Sequence, residues 1–188
     1  MTTSGTTGTT TAPRTTWQID PAHSLVEFAV KHMMFTTVKG HFTGIAGTIV
    51  ADEAHPENST VEVTIDATTI TTGAPDRDNH LRSADFLETD KYPTITYRST
   101  SVESRGADKL TVHGDLTMRD VTRPVDLEVE LTGRGTTPYG KEAAGFSANA
   151  SINRKEWGLN WNVALETGGV LVGDTIKVAI EVEAVKKA

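Results

Sequence analysis

Arg77, His80, Leu81 and Ala84 stand at i, i+3, i+4 and i+7 of one short stretch, Asp76 to Leu87, so a helix would carry them on a single face. That face combines a cation, an imidazole and apolar groups. The chain has six histidines (His23, His32, His41, His55, His80 and His113), with no His-x-His pair and no His-Glu-x-x-His. A three-histidine metal site assembled across neighbouring strands stays open, because strand neighbours need not be close in sequence. No Gly-x-Ser-x-Gly elbow surrounds any serine. Gly133-Arg134-Gly135 and Gly168-Gly169 read as turns, since no strand-loop-helix context makes them phosphate cradles. Glu128 and Glu130 lie on the wet face of a strand. These residues do not build an enzyme, and no metal site is assigned.

The elements that must position this face are mostly strands. Val26, Phe28 and Val30 alternate with polar or small residues, and Val38, Gly40 and Phe42 repeat the period of two. Gly44 sits where the phase changes, after which Ile45, Gly47, Ile49 and Ala51 face inward. The pattern recurs through Ile65, Tyr97, Leu116, Leu127, Phe146 and Ile180, with Arg119 to Pro124 read as a connecting loop. About eight alternating strands at hairpin spacing, without crossover helices, predict an all-β antiparallel barrel. A sandwich gives the same alternation; small inward residues such as Gly40, Gly47, Gly114 and Ala148 favour the barrel, by leaving room inside. One helix interrupts the strands. Pro75 opens it, Asp76 and Asp78 favour its positive end, and it is expected over about residues 75–84, across one mouth of the barrel.

Composition narrows the partners. A net charge of -7 lacks the basic footprint of a nucleic-acid or anionic-membrane binder. With no cysteine, thiolate chemistry and disulfides are excluded. Residues 1–16 are nearly all Thr, Gly and Ser, and read as a disordered tail with neither signal nor transit character. The remainder, 17–188, is one domain. No apolar run reaches the ~18 residues of a membrane span, and a cytoplasmic location is expected.

The chain resembles the YceI-like family of polyisoprenoid-binding proteins, over Trp17 to about Val185. The resemblance rests on Trp17-x-Ile19-Asp20-Pro21-x-His23-Ser24, Val30-Lys31-His32-Met33, Val38-x-Gly40-x-Phe42 and Arg77-Asp78-x-His80-Leu81-Arg82-Ser83-x-Asp85-Phe86 with Tyr92-Pro93. It continues through Gly114-x-Leu116-Thr117-Met118-x-x-Val121-Thr122-Arg123-Pro124-Val125 and Ile152-Asn153-Arg154-x-x-Trp157-Gly158. It implies a lipocalin-like barrel that carries the tail of a long isoprenoid, such as a quinone or a polyprenyl phosphate, and a homodimer as a common state. Many relatives carry a signal peptide that this sequence lacks.

The expected function is therefore non-catalytic lipid carriage, with an isoprenoid lipid or quinone bound and no covalent cofactor. Phe28, Val30, Phe42, Ile65, Tyr97, Leu116, Leu127, Phe146 and Ile180 are the expected tail contacts. Leu81 and Phe86 would meet the tail from the helix, while Arg77 and His80, with Arg82 beside them, would read the head group. Two other classes compete: a small hydrolase, isomerase or His-metal enzyme on the same barrel, and a stress or scaffold protein with a filled core.

Overall fold

A computed structural model of the chain describes residues 13–188. The strands are β1 (Thr15–Ile19), β2 (Leu25–His32), β3 (Thr36–Phe42), β4 (Ile45–Ala51), β5 (Thr60–Asp66), β6 (Thr94–Ser104), β7 (Lys109–Met118), β8 (Val121–Thr136), β9 (Glu142–Asn153) and β10 (Val172–Lys186). All pairings are antiparallel. Eight strands close a ring in the order β1-β4-β5-β6-β7-β8-β9-β10, with Trp17 opposite Lys186 and Ile19 opposite Ala184 completing it. Closure leaves those eight strands without an open edge.

β2 and β3 are the two extra strands, and their origin lies in two interruptions. β10 gives its last residues to β1 and its middle to β2, where Ile176 faces Val30 and Glu181 faces Leu25. β1 and β2 are thus one wall kinked at the 3-10 turn Pro21–His23. Asp20 makes the kink: its carboxylate accepts from the Ala22 amide at 2.9 Å, and Pro21 presets the first turn residue. β3 and β4 are broken in the same way at Thr43 and Gly44, where the inward parity passes from Phe42 to Ile45. The expected eight-strand barrel is present, written in ten segments.

Several boundaries differ from the sequence reading. The proposed tail falls, for residues 1–12, outside the described residues, but Thr15 and Thr16 belong to β1, paired with Ala51 and Val50. Arg119 and Asp120 alone form the turn between β7 and β8, both with left-handed φ, and Val121 already pairs with Met118. Gly133-Arg134-Gly135 is not a turn. It lies within β8, paired with β9. An irregularity between Ser99 and Ser101 re-phases β6, so Val102 turns inward and is buried.

The helix, α1 (Pro75–Arg82), ends two residues before the expected limit. Ser83 stops it: its hydroxyl and its amide both donate to the His80 carbonyl, at 2.7 and 3.1 Å, while its backbone turns extended. Ala84 is consequently outside the helix and exposed. Among the described residues, no helix is long and apolar enough to cross a membrane.

Candidate functional site

The inward faces of the strands enclose a lumen of about 790 Å³. That is within the ~300–1,000 Å³ of small-molecule sites. Its wall includes Phe28, Val30, Phe42, Ile65, Tyr97, Leu116, Leu127, Phe146 and Ile180 from eight strands, and Leu81 and Phe86 from the helical segment. Aliphatic and aromatic side chains make up nearly all of the rest. No histidine lines it. An apolar lumen of this kind binds by removing hydrocarbon from water, since it offers a ligand no hydrogen bonds along its length.

Small inward residues work differently from the expectation that they leave space. A Cβ at Gly114 would fall 2.4 Å from the Tyr97 ring, and one at Gly40 would meet the Phe28 ring at 2.4 Å. The glycines are notches that let two rings lie flat against the wall. Tyr97 spans its notch so that its hydroxyl sits 3.0 Å from the carbonyls of both Val112 and Val125. Burial pushes that hydroxyl's pKa up, with the Asp126 and Asp115 charges adding to the shift, so it stays a donor. The lumen is kept open by rings held to the wall, with Phe28 also packed on Phe42 at 5.9 Å between centroids.

One end of the lumen is closed. Ile70, Phe86, Leu87, Ile95, Met118 and Leu159 line it there and all are buried. α1 is fixed in place by Asp78, 6% exposed, which reaches back to the residues before the helix. Its carboxylate accepts from the Thr72 amide and hydroxyl at 2.7 and 2.6 Å, and from the Thr71 hydroxyl at 3.0 Å. Burial raises the Asp78 pKa, but those bonds and the Arg82 charge outweigh it and hold the carboxyl below the usual range.

The head-group candidates on this helix do not reach the lumen. Arg77 is exposed and its Nε donates to the Thr72 hydroxyl at 2.7 Å. His80 bonds Asp85 at 2.8 Å and packs edge-on against Phe86 and Trp161, at 5.0 and 4.6 Å. Arg82 donates to the carbonyls of Thr68 and Ile70, at 2.9 and 2.8 Å. The expected shared face is split: Leu81 lines the lumen, Arg77 and His80 do not, and Ala84 lies beyond the end of the helix. Arg77, His80 and Arg82 brace the plug. A second support is Arg154, 2% exposed, whose guanidinium donates to the carbonyls of Leu159, Gly173 and Val172 and thereby folds the segment 154–173 over the same end. Trp157 beside it donates from its indole to the Leu116 carbonyl at 3.0 Å.

The opposite end is open. There the lining residues Glu53, Ala107, Asp108 and Arg134 are exposed, and Arg134 pairs with Glu53 at 2.7 Å. Asp52, also in the lining, is 2% exposed. Its Oδ1 accepts from the His55 amide at 2.9 Å, and its own amide donates to the Ser59 hydroxyl at 3.0 Å. Its Oδ2 is buried with no hydrogen-bond partner. The Arg14 Nε lies 3.7 Å from that oxygen, on a side chain more than half exposed. An unpaired buried acceptor costs roughly 1–3 kcal/mol. Nothing in the local sequence of 52–59 shows that Asp52 folds under this loop.

A family model described as the YceI-like domain matches residues 17–184. The chain belongs to the YceI-like family. A YceI protein of Shigella flexneri is 44% identical over 137 residues, which are 73% of this chain and 71% of that protein. A YceI protein of Salmonella newport is 36% identical over 182 residues, covering 97% and 92% of the two chains. Among solved structures, BcnA of Burkholderia cenocepacia superposes with a TM-score of 0.75 at 21% identity, over 88% of this chain and 98% of that one. A polyisoprenoid-binding domain from Saccharophagus degradans superposes with a TM-score of 0.68 at 15% identity, over 91% and 98%.

Within this YceI-like barrel the histidines are dispersed on the outside. His23 bonds Asp20 at 3.0 Å beside Glu183, at the β1–β2 kink, and that bond raises its pKa. His113 bonds Asp126 at 2.7 Å across β7 and β8, with the same effect. His55 lies 3.4 Å from Glu57. Among the described residues, no three histidines converge.

Proposed function

We propose that this protein binds and carries a long-chain isoprenoid lipid, its tail in the lumen, without catalysing a reaction. The observation that carries the proposal is the 790 Å³ lumen, apolar along its walls, closed by the helical plug and open at the Asp52–Arg134 end. An isoprenoid tail has no hydrogen-bonding group, and burial supplies ~0.8 kcal/mol for each CH₂. A few isoprene units thus offset the ~4–15 kcal/mol lost on association. The fold shared with the Saccharophagus degradans polyisoprenoid-binding domain supports the same ligand class. The position of every histidine outside the lumen supports carriage over catalysis, since a substrate held there would meet no imidazole base.

The open end orients the ligand: the tail enters toward α1 and the head group stays at the rim. Extraction of the purified protein, followed by mass spectrometry of the extract, tests the reading. An isoprenoid quinone or polyprenyl phosphate in stoichiometric amount is expected. A chain that carries none, and takes up none from isoprenoid-loaded vesicles, would overturn it.

A further inference from the structure

The polar lining residues Asp52, Glu53, Ser59, Asp108 and Arg134 stand at the open end, and one of them lacks a partner; Arg154, which lines the closed end, spends its guanidinium on three carbonyls. Asp52 lies in the lining at the open end with its Oδ2 buried and free of hydrogen bonds, while its Oδ1 is already engaged by the His55 amide. Nearby, Glu53 and Asp108 add two more carboxylates, and Arg134 is committed to Glu53. Arg14 approaches Oδ2 but stops at 3.7 Å, beyond hydrogen-bond distance.

We infer that Asp52 is the head-group site of this carrier, and that the head group it takes is a neutral hydroxyl donor: an isoprenoid alcohol, or the hydroxyl of a hydroquinone or phenol. The inference rests on the carriage reading above and adds the chemistry of the end that stays at the rim. A carboxylate oxygen accepts and cannot donate, so it selects a ligand with an O–H to give. A hydrogen bond to a charged acceptor is about twice as strong as a neutral one, and it strengthens further where water is excluded. A phosphate head has mostly lost its proton at neutral pH and is then an acceptor only. It would place its negative charge against three carboxylates, with two guanidinium groups that already face carboxylates, Arg134 at 2.7 Å from Glu53 and Arg14 at 3.7 Å from Asp52.

The experiment uses three tritium-labelled probes of one C20 tail: the free alcohol, its methyl ether and its monophosphate. Each is partitioned at equilibrium between liposomes and the full chain, either as it stands or carrying Asp52→Asn. The unaltered chain is expected to hold the alcohol about tenfold more tightly than the ether, and the phosphate more weakly than the alcohol. Asp52→Asn keeps an oxygen for the His55 amide, and is expected to erase the alcohol's advantage while leaving the ether unchanged. Equal binding of alcohol and ether, or a preference for the phosphate, overturns the assignment and leaves carriage standing. So does an Asp52→Asn loss shared equally by alcohol and ether. Failure of all three probes to bind the unaltered chain removes the carriage reading itself. The order of the probes on the unaltered chain decides the matter even if the variant does not fold.

Discussion

Asp78 shows how a single buried carboxylate can hold a functional element in place. Its three hydrogen bonds reach from α1 to Thr71 and Thr72, and its pKa is depressed in the folded state. A depressed carboxyl adds stability above its unfolded value near ~3.9, and that stability is lost as pH falls through the folded value. Urea denaturation from pH 7 to pH 2 should therefore show an acid-side loss that is smaller in Asp78→Asn, a variant already about 1–2 kcal/mol less stable at pH 7. At Gly114 the constraint is steric. A new Cβ would meet the Tyr97 ring at 2.4 Å and the Arg98 carbonyl at 2.7 Å, and backbone cannot yield as a side chain can. Gly114→Ala should cost roughly 1–3 kcal/mol by the same measurement, and should weaken lipid binding by displacing the ring into the lumen.

At the scale of the element, α1 and the segment 154–173 act as a plug. Arg77→Ala should change affinity for a quinone and for a polyprenyl phosphate of matched tail by the same small factor, because Arg77 faces water and Thr72. A selective loss for the phosphate would restore Arg77 to the head-group site. Leu81 does line the lumen, so Leu81→Asp should weaken both ligands by tenfold or more, placing an unpaired charge where only hydrocarbon is offered. Arg154→Met removes the donors from three carbonyls at once. It should cost about 3 kcal/mol and speed amide exchange across 154–173 before it affects the barrel strands.

The whole molecule is a ring of eight strands around a space that its side chains do not fill. Stability and binding can therefore be separated. Leu127→Trp adds apolar volume on the lumen side and should abolish uptake of an isoprenoid with the melting temperature unchanged or raised. A fall in melting temperature would show instead that the space around Leu127 is occupied by the protein itself. The closed end also predicts polarity of entry. A tail bearing a bulky reporter at its far end should be rejected, while the same reporter on the head should be tolerated at the rim.

Alternation along the chain was enough to locate the strands, the inward faces of most of them and the change of phase near Gly44, but not the phase change in β6 or the full length of β8. The located strands and faces are consequences of the two-residue period of a strand, which is local. It placed Phe28, Tyr97, Leu127 and Ile180 on the lumen wall without any knowledge of which strands are neighbours. It did not reveal that Gly40 and Gly114 are notches for rings, because the ring belongs to a different strand from the glycine it crosses. The helix was legible from Pro75 onward, but not that Leu81 alone of its expected face would meet the lumen. That depended on Asp78 and Arg82 tying the helix to residues 68–72. Asp52 and Arg154 had no local signature, since the burial of a loop carboxylate or guanidinium is set by what folds over it. The open end of the barrel was settled in the same way, by which loops cover which mouth, and that is decided only when the ring closes.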